Sequence, residues 1–251
     1  MFAKRNDGRG MSPAGSVAEW RRGVIDWVFR PQCAACGAAA KTLCDACRGS
    51  LVELGPACPR CGEPSTDPAR CLRCARNPLP LDRVIAPWRF GGALGSAIRR
   101  LKFADRVHIA RDLAPLWAPA LAAAVAADDA IVVAVPLHWR RRARRGYDHA
   151  WLLARHACAL VGLAPPVCAL RRTRHGPAQS TLPAAERATN VEGAFALTRN
   201  SSAIVADRAV ILVDDVMTTG ATLAAAARPL YAAGATSVTG LVLARATSAR
   251  G

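Results

Sequence analysis

One stretch, Val210 to Thr222, most constrains what this chain can fold into. It opens with four apolar residues, which are too few for a helix and typical of a buried parallel strand. The residues after Thr222 have a composition that favours a helix. Between strand and helix lie an acidic pair and a turn rich in hydroxyl groups: Asp214, Asp215, Thr218, Thr219, Gly220 and Thr222.

This turn is predicted to bind the phosphate of a sugar. Hydroxyls and unpaired backbone N–H groups at a helix N-terminus form a site for a phosphate dianion, and Gly220 lets the backbone approach it closely. The two carboxylates cannot bind phosphate, but they suit the two hydroxyls of a ribose and can help to hold Mg²⁺. The alternative is a solvated strand end followed by a helix cap, which does not account for the order of all these features. The sequence contains no Walker A motif, and no Gly-x-Gly-x-x-Gly follows the strand.

The stretch resembles the signature for 5-phosphoribosyl diphosphate (PRPP) in type I phosphoribosyltransferases. The resemblance implies that Asp214 and Asp215 contact the ribose 2- and 3-hydroxyls. It also implies that the turn from Thr218 to Thr222, including Ala221, cradles the 5-phosphate.

A second feature is a set of four Cys-x-x-Cys pairs near the N-terminus. Two such pairs complete a tetrahedral zinc site, so eight cysteines predict two structural zinc ions. Sequential pairing is the simplest arrangement, an interleaved one is also allowed by the spacing, and a redox dithiol is a minor alternative. The module, residues 31–77, is too small to fold on a core of its own, so metal binding would supply its folding energy. The pairs are Cys33/Cys36, Cys44/Cys47, Cys58/Cys61 and Cys71/Cys74.

The net charge of +16, from 34 basic against 18 acidic residues, favours polyanionic partners such as a diphosphate or nucleic acid. No apolar run of about 18 residues is present, so we expect no membrane span. Residues 1–30 predict a disordered tail, Met1 to Gly15, and an amphipathic helix, Ser16 to Phe29. The tail lacks the apolar segment of a signal peptide, and we expect a cytoplasmic protein.

Residues 81–247 predict an α/β domain with a mainly parallel sheet. A second buried strand, Ala130 to Val135, runs into a predicted basic loop with five arginines between Arg140 and Arg145. Such a loop at the carboxyl end of a strand is where an α/β sheet binds anions; the alternatives are a solvated basic face and a nucleic-acid patch. The polar segment from Arg171 to Arg187 predicts a long loop that could act as a lid.

Two histidines and two cysteines lie outside the motifs described so far. His138 and His149 lack ligand spacing with any cysteine, so we expect polar loop residues rather than metal ligands. Cys158 and Cys168 stand apart from the cysteine pairs, and we expect them in the core.

The whole pattern resembles the ComF family (competence protein F, also called ComFC- or GntX-like). The residues that carry this resemblance are the Cys-x-x-Cys module, Leu101-Lys102-Phe103, Val135 to His138, Arg144 to Ala150, Arg172-Thr173, Gln179-Ser180, Arg187 to Val191 and the PRPP signature. One departure is that Arg-Gly-Tyr-Asp-His stands where the family usually has Arg-Gly-Phe-Asn-Gln. Members are implicated in natural transformation, in which they handle single-stranded DNA beside a helicase-like partner.

The resemblance implies a PRPP-binding fold and leaves the reaction open. The hypothesis for the reaction is a Mg²⁺-dependent transfer of a pentosyl group with release of diphosphate. Asp214, Asp215 and Arg172 are the expected catalytic residues, and Asp215 is favoured as general base because it is nearer the turn. Arg172, Gln179 and Arg187 belong to the predicted lid. Arginines and a lysine are expected to face the diphosphate: Lys102, Arg140, Arg144 and Arg145. The competing class is a non-catalytic module that binds single-stranded DNA through the zinc module and the basic loops.

Overall fold

The computed structural model describes residues 32–40, 43–67, 70–102, 106–174 and 193–247. The predicted tail and amphipathic helix of residues 1–30 lie outside this part of the chain. Most of the predicted lid, including Gln179 and Arg187, lies outside it as well.

The core of the fold is a five-stranded parallel sheet with the order β1-β7-β6-β3, in which β2 also pairs with β7. The strands β6 and β7 pair along nearly their whole length, from Ala209 opposite Ser237 to Met217 opposite Arg245. A separate antiparallel pair is formed by β4 and β5. The strands are β1 Arg83–Ile85, β2 Trp88–Arg89, β3 Ile131–Ala134, β4 Leu170–Arg172, β5 Phe195–Leu197, β6 Ala209–Met217 and β7 Ser237–Arg245.

Helices cover both faces of this sheet, and the side chains of β6 are therefore buried on both faces. Ile211 and Val213 pack with the helices α3, α4, α5 and α7, whereas Val210 and Leu212 pack with α9. The result is an α/β/α arrangement, as the sequence predicts. The helices are α1 Asp45–Gly49, α2 Leu72–Arg76, α3 Gly92–Leu101, α4 His108–Leu113, α5 Ala118–Asp128, α6 Trp139–Arg145, α7 His149–Leu160, α8 Ser202–Val205 and α9 Ala221–Ala232, with a 3-10 turn at Ala114–Leu116.

The cysteine-rich segment shares the core of the α/β domain. Cys33, Ala34 and Leu43 are buried in the same cluster as the helix α3. Backbone hydrogen bonds join the two parts further along, from the Leu54 N–H to the Pro87 carbonyl and from the Val84 N–H to the Pro59 carbonyl. The boundary between a zinc module at 31–77 and a domain at 81–247 stays a prediction.

Three local predictions are wrong. The arginine-rich segment after β3 is a helix, α6, rather than a loop; arginine has high helix propensity, and Gly146 ends the helix with a φ of 78°. Arg171 and Arg172 lie in strand β4 and not in a loop. Cys158 is buried as expected, but Cys168 is exposed.

Among the described residues, no single helix has the length and hydropathy of a membrane span. The two segments His108–Leu116 and Ala118–Asp128 reach those values only when taken together, and their axes differ by 64°.

Candidate functional site

The acidic pair lies inside strand β6 rather than at its end, because the strand continues to Met217. Asp215 is buried, and its Oδ2 forms an ion pair with Lys102 Nζ at 2.7 Å and lies 3.4 Å from His149 Nε2. Lys102 follows the last residue of α3, and His149 is the first residue of α7. Two helices on one face of the sheet therefore supply the partners of one carboxylate.

The pKa values of the two neighbouring carboxyl groups are shifted in opposite directions. Burial alone would raise the pKa of Asp215, but Lys102 and His149 hold it below its ordinary value. Burial and the negative charge of Asp215 raise the pKa of Asp214 well above its ordinary value. Asp215 is thus the stronger acid of the pair, and the carboxylate of Asp214 is the stronger base.

The hydroxyl-rich turn follows β6 directly and leads into α9. Gly220 precedes the helix with a φ of 79°, in the left-handed region that glycine adopts freely. A Cβ on this residue would also lie 2.5 Å from Met217 Cε and 2.8 Å from Leu79 Cδ1. Ala221 is the first helical residue, and its N–H donates to Thr219 Oγ1 at 3.4 Å. Thr218 and Thr222, like Thr219, are half-buried.

The arginine helix α6 has two distinct faces. Arg140 and Arg144 are exposed on one face. Arg141 and Arg145, which are also one turn apart, are half-buried on the other. Arg145 Nη1 lies 3.4 Å from His149 Nδ1, so α6 approaches the acidic pair through this histidine. Burial and the charges of Arg145 and Arg144 lower the pKa of Arg141.

Arg172 adds a further cation beside this face. Burial and the charge of Arg141 lower the pKa of Arg172, and Asp214 acts in the opposite direction. Its guanidinium lies 5.5 Å from the centre of the Phe195 ring. Two of its nitrogens, Nε and Nη2, are buried without a hydrogen-bond partner among the described residues. Cationic groups that lower one another's pKa at a half-buried position suit an anionic ligand with several charges.

Several site residues differ from the sequence predictions. His138 and His149 are buried rather than being polar loop residues: His138 caps α6 through its side chain, and His149 faces the acidic pair. His149, Asp214 and Asp215 each place a ligand atom within 4.8 Å of the others, so the three could hold a metal ion. Lys102 forms an ion pair with Asp215, and its contact with the diphosphate stays a prediction. Sequence reasoning did not single out Arg141, although its spacing of four from Arg145 was a usable signal.

The eight cysteines form two sequential clusters, which settles the pairing that their spacing left open. The first cluster contains Cys33, Cys36, Cys44 and Cys47, and the second contains Cys58, Cys61, Cys71 and Cys74. One pair of sulfurs within the first cluster is 3.8 Å apart, and two pairs within the second are 3.7 and 3.5 Å apart. Four sulfurs around one zinc ion are about 3.8 Å apart when each Zn–S bond is about 2.3 Å. Both clusters therefore fit zinc, and they support two structural ions.

Backbone N–H groups prepare one of these thiols for metal binding. Burial would raise the pKa of Cys33, but hydrogen bonds from the backbone at Cys36, Cys44 and Ala35 lower it to about 6. The N–H groups of Ala35 and Cys44 each lie 3.4 Å from its sulfur. A thiol with this pKa is largely ionised at neutral pH, and the thiolate is the form that binds zinc.

Two family models match the chain. A double zinc ribbon domain matches residues 24–75, and a phosphoribosyl transferase domain matches residues 143–251. The two matches cover both cysteine clusters and the β6–α9 segment with its acidic pair.

Curated relatives resemble the chain over most of its length. The DNA utilization protein YhgH of Salmonella typhimurium is 32% identical over 202 residues, which cover 78% of this chain and 87% of that protein. The competence protein F of Haemophilus influenzae is 30% identical over 74% of this chain and 82% of its own length. The competence protein ComFC of Bacillus subtilis is 29% identical over 81% and 84% of the two lengths.

Proposed function

This chain belongs to the ComF family, with competence protein F and the DNA utilization protein YhgH, and we propose that it binds PRPP with Mg²⁺ and transfers the phosphoribosyl group. The observation that carries the proposal is the continuous run from the carboxylates of β6 to the turn before α9. One end of this run suits ribose hydroxyls and the other a 5-phosphate. A single short segment could therefore hold both ends of one pentose phosphate.

On this proposal, Asp214 and Asp215 hold the ribose hydroxyls. The N–H groups and hydroxyls at the start of α9 bind the 5-phosphate, because a helix N-terminus favours negative charge. The residues assigned to the phosphate are Thr218, Thr219, Gly220, Ala221 and Thr222.

In the transfer, the bond between ribose C1 and the diphosphate oxygen breaks, and its electron pair leaves with the diphosphate. A lone pair of the acceptor forms the new bond to C1, and the acceptor's proton passes to a carboxylate. We assign this proton to Asp214, because its raised pKa makes it the stronger base while Asp215 is neutralised by Lys102. This assignment replaces the sequence-based preference for Asp215.

The departing diphosphate carries several negative charges that must be stabilised as they develop. The half-buried guanidiniums of Arg141, Arg145 and Arg172 are the groups we assign to it, with the exposed Arg140 and Arg144 at the periphery. Mg²⁺, bound together with PRPP, would neutralise part of the diphosphate charge, and the carboxylate oxygens of Asp214 and Asp215 are ligands of the kind it prefers.

Calorimetry with PRPP and Mg²⁺ tests this proposal. We expect wild type to bind, and Asp214→Asn with Asp215→Asn to lose binding while keeping the fold. The matched control is Asp129→Asn, an exposed residue with a φ of 46° that asparagine also tolerates. A screen of amines and bases for diphosphate release would then identify the acceptor. Equal PRPP affinity in the double variant and in wild type would overturn the proposal.

A second candidate function, binding of single-stranded DNA, is favoured by one observation on α6. Trp139 is 65% exposed, and the Arg140 guanidinium lies 5.3 Å from its ring centre. An exposed indole among arginines suits stacking with a nucleobase and pairing with the backbone phosphates. We expect Trp139→Ala to weaken binding of a labelled oligonucleotide by about tenfold and to leave the salt dependence unchanged.

Two further predictions belong to this proposal. Metal-bound thiolates favour a reducing compartment, so we propose a cytoplasmic location. A helicase-like competence partner is proposed from the family resemblance alone, and co-purification would test it.

A further inference from the structure

An arginine of the second cysteine cluster contacts the turn that we assign to the 5-phosphate. Arg73 lies between the cluster residues Cys71 and Cys74, in the short helix α2. Its Nη2 donates to the carbonyl oxygen of Thr219. A side chain held between two zinc ligands therefore reaches the backbone of the phosphate turn.

The same arginine is fixed from a second side by Glu63. This residue follows Cys61 by two positions, and its Oε2 accepts from Arg73 Nη1 at 3.2 Å. The same oxygen accepts from Arg245 Nη2 at 2.6 Å. Arg245 is fully buried and ends strand β7, opposite Met217 of β6. The carboxylate thus connects the second cluster to the end of the sheet from which the phosphate turn begins.

This connection fixes the orientation of the peptide group between Thr219 and Gly220. In a trans peptide, the C=O and the following N–H point in opposite directions. By holding the Thr219 carbonyl, Arg73 fixes the direction of the Gly220 N–H, which is one of the unpaired donors at the start of α9. Leu79, just beyond the cluster, also lies close to Gly220: a Cβ on this glycine would be 2.8 Å from Leu79 Cδ1.

We infer that Arg73 is a positioning residue through which zinc in the second cluster keeps the phosphate turn in its binding conformation. The inference rests on the proposed function, because it concerns the same 5-phosphate. It predicts that zinc binding and phosphate binding are coupled. By linkage, the coupling is reciprocal, so a bound sugar phosphate must also raise the affinity of this cluster for zinc.

Ligand titrations of the full chain loaded with zinc separate this role from general structural support. The variant is Arg73→Ala, and the control is Arg76→Ala, an exposed arginine of the same helix. We expect Arg73→Ala to weaken binding of ribose 5-phosphate, and of PRPP with Mg²⁺, by about tenfold. The affinity of Arg73→Ala for inorganic diphosphate should equal that of wild type, because on this proposal diphosphate does not contact the turn.

Zinc affinity, measured by equilibrium competition with a chromogenic chelator, gives a readout that does not depend on activity. We expect ribose 5-phosphate to raise the chelator concentration needed to remove one zinc ion from wild type and from Arg76→Ala, but not from Arg73→Ala. If Arg73→Ala is poorly folded, Glu63→Gln tests the same connection, because it removes the charge that holds Arg73.

The outcomes are distinct. If wild type binds neither ribose 5-phosphate nor PRPP, the proposed function fails and this inference fails with it. If wild type binds both, and Arg73→Ala and Glu63→Gln bind them as tightly as wild type does, only the inference is overturned. An equal loss of affinity for diphosphate and for ribose 5-phosphate would also overturn it, since that pattern indicates general damage.

Discussion

Lys102 decides how the acidic pair is charged. Burial of a carboxylate without a partner costs free energy, because its hydration is lost without compensation. The 2.7 Å contact of Asp215 with the Lys102 ammonium offsets this cost. His149 lies farther away, at 3.4 Å, and is a charged partner only when protonated. The state of Asp214 follows from this contact, because its raised pKa depends in part on an ionised neighbour.

Replacing Lys102 should therefore destabilise the protein. We expect Lys102→Met to lower the free energy of unfolding by about 3 kcal/mol, since it leaves a buried charge unpaired. Urea denaturation of the zinc-loaded protein measures this change. Lys102→Arg, which keeps the charge, is the control, and adding Asp215→Asn to Lys102→Met should restore part of the loss. An unchanged unfolding midpoint in Lys102→Met would show that the ion pair contributes nothing.

At the scale of single residues, the sequence predicts which residues of the β6–α9 segment form the site, but it does not predict their contacts with other elements or their protonation states. The order of residues in the β6–α9 segment identifies the acidic pair and the turn, because these residues are neighbours in the chain. Lys102, His149 and Arg141 come from other elements, and their contacts arise only when α3, α6 and α7 pack on the sheet. No local pattern indicates that His149 faces a carboxylate.

Helix α7 begins at a cap that also fixes a neighbouring turn. Asp148 Oδ1 accepts from the Trp151 N–H at 3.3 Å, and its Oδ2 accepts from the Leu137 N–H at 2.7 Å. One carboxylate thus binds the start of α7 to the segment that leaves β3. His149 is the next residue, so the cap also sets where this imidazole meets Asp215.

Removal of this cap should affect both stability and the site. We expect Asp148→Ala to cost about 2 kcal/mol, at the upper end for an N-cap because two backbone donors lose their acceptor. Thermal and urea unfolding measure the loss. Asp148→Asn should lose about half as much, since its one oxygen can cap the helix while its NH2 group cannot accept from the second N–H. An unchanged stability of Asp148→Ala would contradict this role of the cap.

Long elements with a clear pattern are predicted well from this sequence, and polar ones are not. The buried strands β3 and β6 contain apolar runs that locate them, although β6 continues through the acidic pair to Met217. Helix α6 is missed because a run of arginines after a strand resembles a loop. Its helical signals, high propensity and a terminal glycine, are real but are not accompanied by an apolar stripe.

Across the whole molecule, the metal clusters and the candidate site are parts of one structure. The first cluster packs on α3, where Arg100 Nη1 donates to the Cys33 carbonyl at 3.1 Å, and the residue that follows α3 is Lys102. The second cluster reaches the phosphate turn through Arg73. The Cys-x-x-Cys spacing predicts the metals, but it gives no information about these contacts, because they join segments far apart in the chain.

The sequential arrangement of the clusters can be tested by counting zinc ions in pairs of cysteine variants. Native mass spectrometry should find two zinc ions in wild type. Cys36→Ser combined with Cys44→Ser should leave one, because both residues belong to the first cluster and the second is untouched. Cys58→Ser combined with Cys71→Ser should likewise leave one, whereas Cys36→Ser combined with Cys71→Ser should leave none. Interleaved clusters give the opposite result for the first two variants, since each would damage both sites. Because three thiolates bind zinc more weakly than four, a mild chelator should be present so that partly liganded ions are removed before the count.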